Sequence, residues 1–146
     1  MDWITDTIAI GNYIDAGDRQ RREAESIRSM ICLNNKQRGV QAQAIGLDAL
    51  ANFDFIDGPG NSPDMFERAV LTVEKFALQH PKLLVQCHAG RSRSVVVVAA
   101  CLMRANGWNP RQALAFVTSK RESAVADGLD RLLRSAFLFG SPERRQ

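Results

Sequence analysis

The sequence predicts an α/β protein with a central mixed, mostly parallel sheet of about five strands flanked by helices. Three observations lead there. Ile27–Leu33 and Leu83–Gln86 carry apolar residues on both parities, as strands covered on both faces do. Phe66, Ala69, Val70, Val73, Phe76 and Ala77 repeat with the 3.6-residue helical period. Between Leu84 and Ser94 an apolar strand passes through a short polar loop into a long apolar segment. That puts a loop at the carboxyl end of a strand, the edge where open α/β sheets bind ligands.

Taken in order, Trp3 to Ile10 reads as a short strand pair broken at Asp6. Asp15 is of the right type to cap a helix running to about Glu25. Ile27–Leu33 is a buried strand, and 34–52 is loop with one short helix through Val40, Ala44, Leu47 and Leu50. Phe53–Asp57 forms a short strand, stopped by Gly58-Pro59-Gly60-Asn61. Ser62 caps the next helix, with Pro63 at its first position, and Pro81 ends it before the strand Leu83–Gln86. Four valines, Val95 to Val98, favour a strand, but the apolar run continues to Met103 and is too long for one, so it reads as a buried helix closed by Gly107. Asn109, Pro110 and Gln112 open a further helix as a capping box. Asp127 is placed as the cap of the last helix, with Leu129, Leu132, Leu133, Ala136 and Phe137 on its inner face; Gly140 and Pro142 end it before an Arg-bearing tail.

The 146 residues suffice for a single domain, 1–146, with its own core. A formal net charge of +3 is too small to call for nucleic acid, although 15 of the 19 basic residues are Arg, whose planar fork suits phosphate. The first residues carry no secretory signal pattern, and Val95–Met103 falls far short of the roughly 20 residues a membrane span needs. Cys32, Cys87 and Cys101 lack metal-ligand spacing and only two histidines are present, so no metal and no cofactor is expected, and a reducing, cytoplasmic setting is the default. Oligomeric state is not legible.

The chemistry gathers in Cys87-His88-Ala89-Gly90-Arg91-Ser92-Arg93-Ser94. A loop entering a helix start converges backbone N–H groups on one small space and cradles anions, phosphate above all. The amides of His88, Ala89, Gly90, Arg91, Ser92 and Arg93 supply that cradle here, and the Arg93 guanidinium adds a bidentate partner for two phosphate oxygens. Cys87 on the loop floor is then a nucleophile in a setting that favours the thiolate. Asp57, 30 positions earlier at a predicted strand end, is placed to protonate the leaving oxygen and later to activate water. Ser94 is placed to hydrogen-bond the sulfur as it departs.

This stretch resembles the signature loop of the cysteine-dependent protein tyrosine phosphatases, and Ala89-Gly90 with Ser92-Arg93-Ser94 is most similar to the compact dual-specificity branch. Ile8-Ala9-Ile10-Gly11-Asn12, Cys32-Leu33-Asn34, Asp57 and the two helices after the loop match that branch's layout. The resemblance implies Cys87 as nucleophile, Arg93 as phosphate ligand, Asp57 as general acid and base, and Ser94 as assistant in the second step. It also implies a shallow pocket open to phosphotyrosine, phosphoserine and phosphothreonine, with a phosphorylated protein or small phosphomonoester as substrate. Gln86 departs from the family's usual histidine before the nucleophile, and a neutral amide there predicts activity rising at somewhat higher pH.

Blander readings stand beside these. Cys32 and Cys101 read as packed core residues, with Cys32 retained as a second thiol able to pair with Cys87 on oxidation. Asp57 before Gly58-Pro59 is also a good turn residue. His88 and Arg91 read equally as solvent-facing rim or as a selector of strongly anionic substrates. Arg19, Arg21, Arg22 and Lys120-Arg121 read as solvated faces. Asn61 either leads into the Ser62 helix or steadies the Asp57 loop. The same loop would serve a phosphoinositide or other phospholipid phosphatase, or a phosphoprotein-binding module without turnover.

Overall fold

A computed structural model describes residues 1–139, with side chains described to residue 135. Five strands form one sheet in the order β1-β2-β5-β3-β4: β1 is Asp2–Trp3, β2 Ile8–Gly11, β3 Ser29–Cys32, β4 Ala49–Asn52 and β5 Leu83–Gln86. Only the β1–β2 pair is antiparallel; β2, β5, β3 and β4 run parallel, so their carboxyl ends open on one edge. β5 is central, with Gln86 opposite Gly11 on one side and Cys32 on the other.

Both faces of the sheet are covered. On one, Ile10, Ile31, Leu33, Leu83 and Val85 pack with α3 (Pro63–Gln79), α4 (Arg93–Asn106), α5 (Pro110–Lys120) and the start of α6 (Leu129–Phe139). On the other, Ala9, Met30, Cys32 and Leu84 pack with Ala16 of α1 (Tyr13–Gly17) and with Leu47. α4 is the central helix, and every residue from Ser94 to Met103 is buried. Its four valines resolve as helix on magnitude: their propensity penalty is at most about 0.7 kcal/mol each, whereas burying each side chain yields roughly 1.5–3 kcal/mol.

Several boundaries differ from expectation. The segment 12–24 is two short helices, capped by Asn12 and by Asp18, the latter for α2 (Arg19–Ala24). Asp15 is not a cap but the third helical residue of α1, returning a bond to the Asn12 N–H at 3.0 Å. Burial alone would raise the Asp15 carboxyl, but the Asn12 amide, the Met1 ammonium and Arg21 together hold it below its ordinary value. Arg22 is buried rather than solvated, donating to the Ile45 carbonyl at 2.8 Å, while Arg19 and Arg21 stay exposed. The short helix in 34–52 is a 3₁₀ turn, Ala42–Ile45.

The strand expected over Phe53–Asp57 lies four residues earlier, at Ala49–Asn52. Phe53 still donates to the Cys32 carbonyl at 2.9 Å, and the Phe55 N–H is shared between the carbonyls of Phe53 (3.0 Å) and Leu33 (3.4 Å), so the regular ladder stops where Arg93 Nη1 takes the carbonyls of Phe55 (3.1 Å) and Leu33 (3.4 Å). The last helix begins at Leu129, so Gly128 and not Asp127 immediately precedes it. The expected terminators Gly140 and Pro142, and the side chains of Ala136 and Phe137, lie outside the described residues.

Candidate active site

Three loops meet at the carboxyl edge of the sheet. Cys87 follows β5 directly and is 2% exposed, at the floor of the loop that runs to Arg93. Arg93 and Ser94 are the first two residues of α4. Asp57 lies on the loop after β4, exposed, five residues past the strand end, and makes no hydrogen bond or ion pair among the described residues. Arg93 links the two loops, since one of its two carbonyl partners, Phe55, stands two residues before Asp57.

The shape of the Cys87–Arg93 loop follows from what its carbonyls do. His88 O accepts from Tyr13 N (3.0 Å), Ala89 O from Arg121 Nη2 (3.3 Å), Gly90 O from Arg121 Nε (2.5 Å) and Arg91 O from Ala124 N (2.9 Å). Four successive carbonyls are therefore tied outward. Every peptide here is trans, so each C=O opposes the following N–H, and the amides of Ala89, Gly90, Arg91 and Ser92 point the other way, into the loop. Gly90 is required: its φ is +67°, and a Cβ there would meet the Gly11 carbonyl and Arg121 Nη2.

Ser92 occupies the cap position of α4, yet its hydroxyl accepts from Ala126 N at 2.9 Å instead of capping the helix. The first amides of α4 thus keep their positive end for another partner. Among the described residues, two buried polar atoms, Arg93 Nε and Ser94 Oγ, likewise have no hydrogen-bond partner. An oxyanion resting on the loop is the kind of group this donor set fits.

Around the loop, His88 is exposed and stacks on Tyr13 with centroids 4.5 Å apart and rings 4° from parallel. Arg91 is exposed and pairs with Glu122 at 3.4 Å. Both are rim residues. Asn61 steadies the Asp57 loop: its Oδ1 accepts from Ile56 N at 2.7 Å, and its Nδ2 donates to the carbonyls of Ile56 (2.7 Å) and Gly58 (3.1 Å). Below the floor, Gln86 is 1% exposed and trades two amide hydrogen bonds with Asn34, both 3.2 Å.

Cys32 lies across from Gln86 in the β3–β5 register, in a different core cluster from Cys87. Burial pushes the Cys32 thiol up to about 11, against the Gln86 hydrogen bond and the Arg22 charge. Cys101 is buried, its thiol also pushed up by that burial, and donates to the Val70 carbonyl at 3.6 Å. A cleft of about 530 Å³ lined by Thr5, Ile8, Leu78 and Leu102 lies toward the amino edge, and its charged residue, Glu74, is paired with Arg104.

Residues 60–135, more than half of the chain, match the dual specificity phosphatase catalytic domain. The chain belongs to the dual specificity phosphatase family. Among relatives, 47 residues are 51% identical to tyrosine-protein phosphatase yvh1 of Schizosaccharomyces pombe, covering 32% of this chain and 14% of that protein. A stretch of 59 residues is 41% identical to dual specificity protein phosphatase 1 of Arabidopsis thaliana, covering 40% and 30%. The matched stretches span less than a third of those relatives. In structure the phosphatase domain is similar to a mouse dual specificity phosphatase complexed with zinc tungstate, at TM-score 0.81 and 26% identity over 94% of this chain and 86% of that one. Human DUSP28 shares the fold at TM-score 0.81 and 23% identity, with 94% and 95% covered.

One contributor to this site is not announced by the sequence. Arg121 is not a solvated residue: its side chain is 11% exposed and bonded to the carbonyls of Ala89, Gly90 and Ile10 and to Asp2. No local pattern announces it, because its partners lie 31 to 119 positions away in sequence, Asp2 being the farthest. Lys120 beside it is exposed, as expected.

Proposed function

We propose that this domain hydrolyses phosphomonoesters of proteins, phosphotyrosine together with phosphoserine and phosphothreonine, through a phosphocysteine intermediate. The observation that carries the reading is the row of four outward-tied carbonyls from His88 to Arg91, which aims four amides into a loop whose floor is Cys87. The phosphoryl group rests on those amides and on the Arg93 fork, which balances the charge of the transferring oxygens. The Cys87 sulfur attacks phosphorus, the ester P–O bond breaks, and the leaving oxygen takes a proton from Asp57. Water then attacks the thiophosphate, gives its proton to the Asp57 carboxylate, and the S–P electron pair returns to sulfur, which accepts a hydrogen bond from the Ser94 hydroxyl.

The exposed loop position of Asp57 supports its exchange of protons with bulk water between half-reactions. An exposed rim supports acceptance of short as well as long phosphorylated side chains. Arg91 is already paired with Glu122, which favours phosphoproteins over highly charged lipid headgroups as substrates. The reading treats 1–146 as one catalytic domain, and three free thiols suit a reducing compartment such as the cytoplasm. Among the described residues no helix is long and apolar enough to cross a membrane.

Hydrolysis of a small aryl phosphate by wild type, Cys87→Ser and Asp57→Asn tests the proposal. Cys87→Ser reduces turnover to background, and Asp57→Asn lowers kcat by about 10²–10⁴-fold, the usual worth of a general acid. Wild-type turnover surviving in Cys87→Ser overturns the mechanism. Phosphate binding without turnover by wild type points instead to a binding module, and a phosphoinositide preferred over phosphopeptides in a side-by-side panel reassigns the substrate class.

A further inference from the structure

We infer that Arg121 is a positioning residue for catalysis, holding the anion loop in its binding shape, and that Asp2 aligns it. The inference rests on the phosphatase reading and adds a residue to it. Arg121 is the first residue after α5, and its guanidinium spans two successive carbonyls of the loop, Nε to Gly90 O at 2.5 Å and Nη2 to Ala89 O at 3.3 Å. Nη1 points away from the loop, to Asp2 Oδ2 at 2.8 Å and Ile10 O at 3.2 Å. A planar fork that uses separate nitrogens for these partners has its plane fixed by them.

Holding the carbonyls of Ala89 and Gly90 outward is the same act as aiming the amides of Gly90 and Arg91 inward. Without the fork, those two peptides lose their partners at a glycine, where the backbone has the least intrinsic preference for one orientation. A peptide flip there would present carbonyl oxygens to the phosphate in place of N–H groups, turning two attractive dipoles repulsive. Tyr13 N and Ala124 N hold the peptides on either side, so the consequence of losing Arg121 is confined to the middle of the loop. Asp2 belongs to the antiparallel edge strand β1, so that strand is tied to the site through one ion pair.

The test uses the full chain with Arg121→Met, Arg121→Lys and Asp2→Asn, and Arg28→Met as a control that breaks an ion pair, Arg28 to Asp48, at the amino edge of the sheet. Each is measured for kcat and KM on an aryl phosphate, for inhibition by inorganic phosphate, and for melting temperature. Arg121→Met is expected to lower kcat by about 100-fold or more, the scale for losing one preorganised oxyanion donor, and to weaken phosphate inhibition with it. Arg121→Lys, which keeps the charge but not the fork, stays well below wild type, and Asp2→Asn shows a smaller loss in the same two parameters. Arg28→Met leaves both unchanged. A merely structural Arg121 would lower the melting temperature and leave kcat and phosphate inhibition of the folded protein alone. Wild-type kcat and phosphate inhibition in folded Arg121→Met, or in Arg121→Lys should the former not fold, overturns the inference. Absence of both in wild type overturns the phosphatase reading beneath it.

Discussion

At the scale of single residues, Gln86 raises the sharpest question, because it sits one position before the proposed nucleophile and carries no charge. Its two hydrogen bonds with Asn34 join the two side-chain amides in a buried place. Removing one member would strand the other, at a cost of about 1–3 kcal/mol. The floor beneath Cys87 is thereby held rigid and neutral. Replacing Gln86 with His introduces a group able to become cationic under the loop, which favours the thiolate. We therefore expect Gln86→His to move the acidic limb of the kcat/KM profile to lower pH, and an unmoved limb in the folded variant refutes the link between this position and the nucleophile. The sequence disclosed the identity of Gln86 but not its partner, since Asn34 lies 52 positions away and meets it only through the pairing of β3 with β5.

At the scale of elements, what was legible was what is written locally. Ser62-Pro63 starts α3, Asn109-Pro110-Gln112 starts α5 and Gly107 closes α4, each where the sequence places it, because caps are read from side chains a few residues apart. The Asp57 loop departs from the expected strand for the complementary reason. Phe53 to Ile56 has the composition of a strand, but the guanidinium that takes the Phe55 carbonyl comes from Arg93, 38 positions later. Asp57 therefore rides on a loop and not on a strand end, and its placement depends on the three Asn61 hydrogen bonds and on Gly128. The latter approaches Pro59 so closely, at φ +93°, that a Cβ would come within 2.7 Å of Pro59 Cα. Asn61→Ala should lower kcat by up to about 100-fold, the cost of small misplacement of a reacting group, with KM little changed. A fall in KM-dependent binding with kcat intact would mean that the strap serves substrate rather than acid.

For the whole molecule, the parallel sheet explains why so much of the site follows from topology. Strands β2, β3, β4 and β5 deliver Asn12, Leu33, the Asp57 loop and Cys87 to one edge, so the order β1-β2-β5-β3-β4 already brings together residues far apart in the chain. The connection from α5 to α6 then braces two of those loops at once, Arg121 and Ala124 on the anion loop and Gly128 on the acid loop. Cys87 and Cys32 belong to different core clusters of that sheet. Peroxide treatment followed by mass analysis of peptides should give oxidised Cys87 without a Cys32–Cys87 disulfide, and finding that bond in natively folded protein would show that the two clusters do not keep the thiols apart.

The stack of Tyr13 on His88 has a practical consequence. Tyr13 is the chain's only tyrosine, and its ring lies flat against a side chain of the anion loop. Biosynthetic incorporation of fluorotyrosine would thus place a single ¹⁹F nucleus beside the loop, with no mutation and no assignment problem. Its resonance would report phosphate occupancy and His88 ionisation directly, a spectroscopic window supplied by the fold itself.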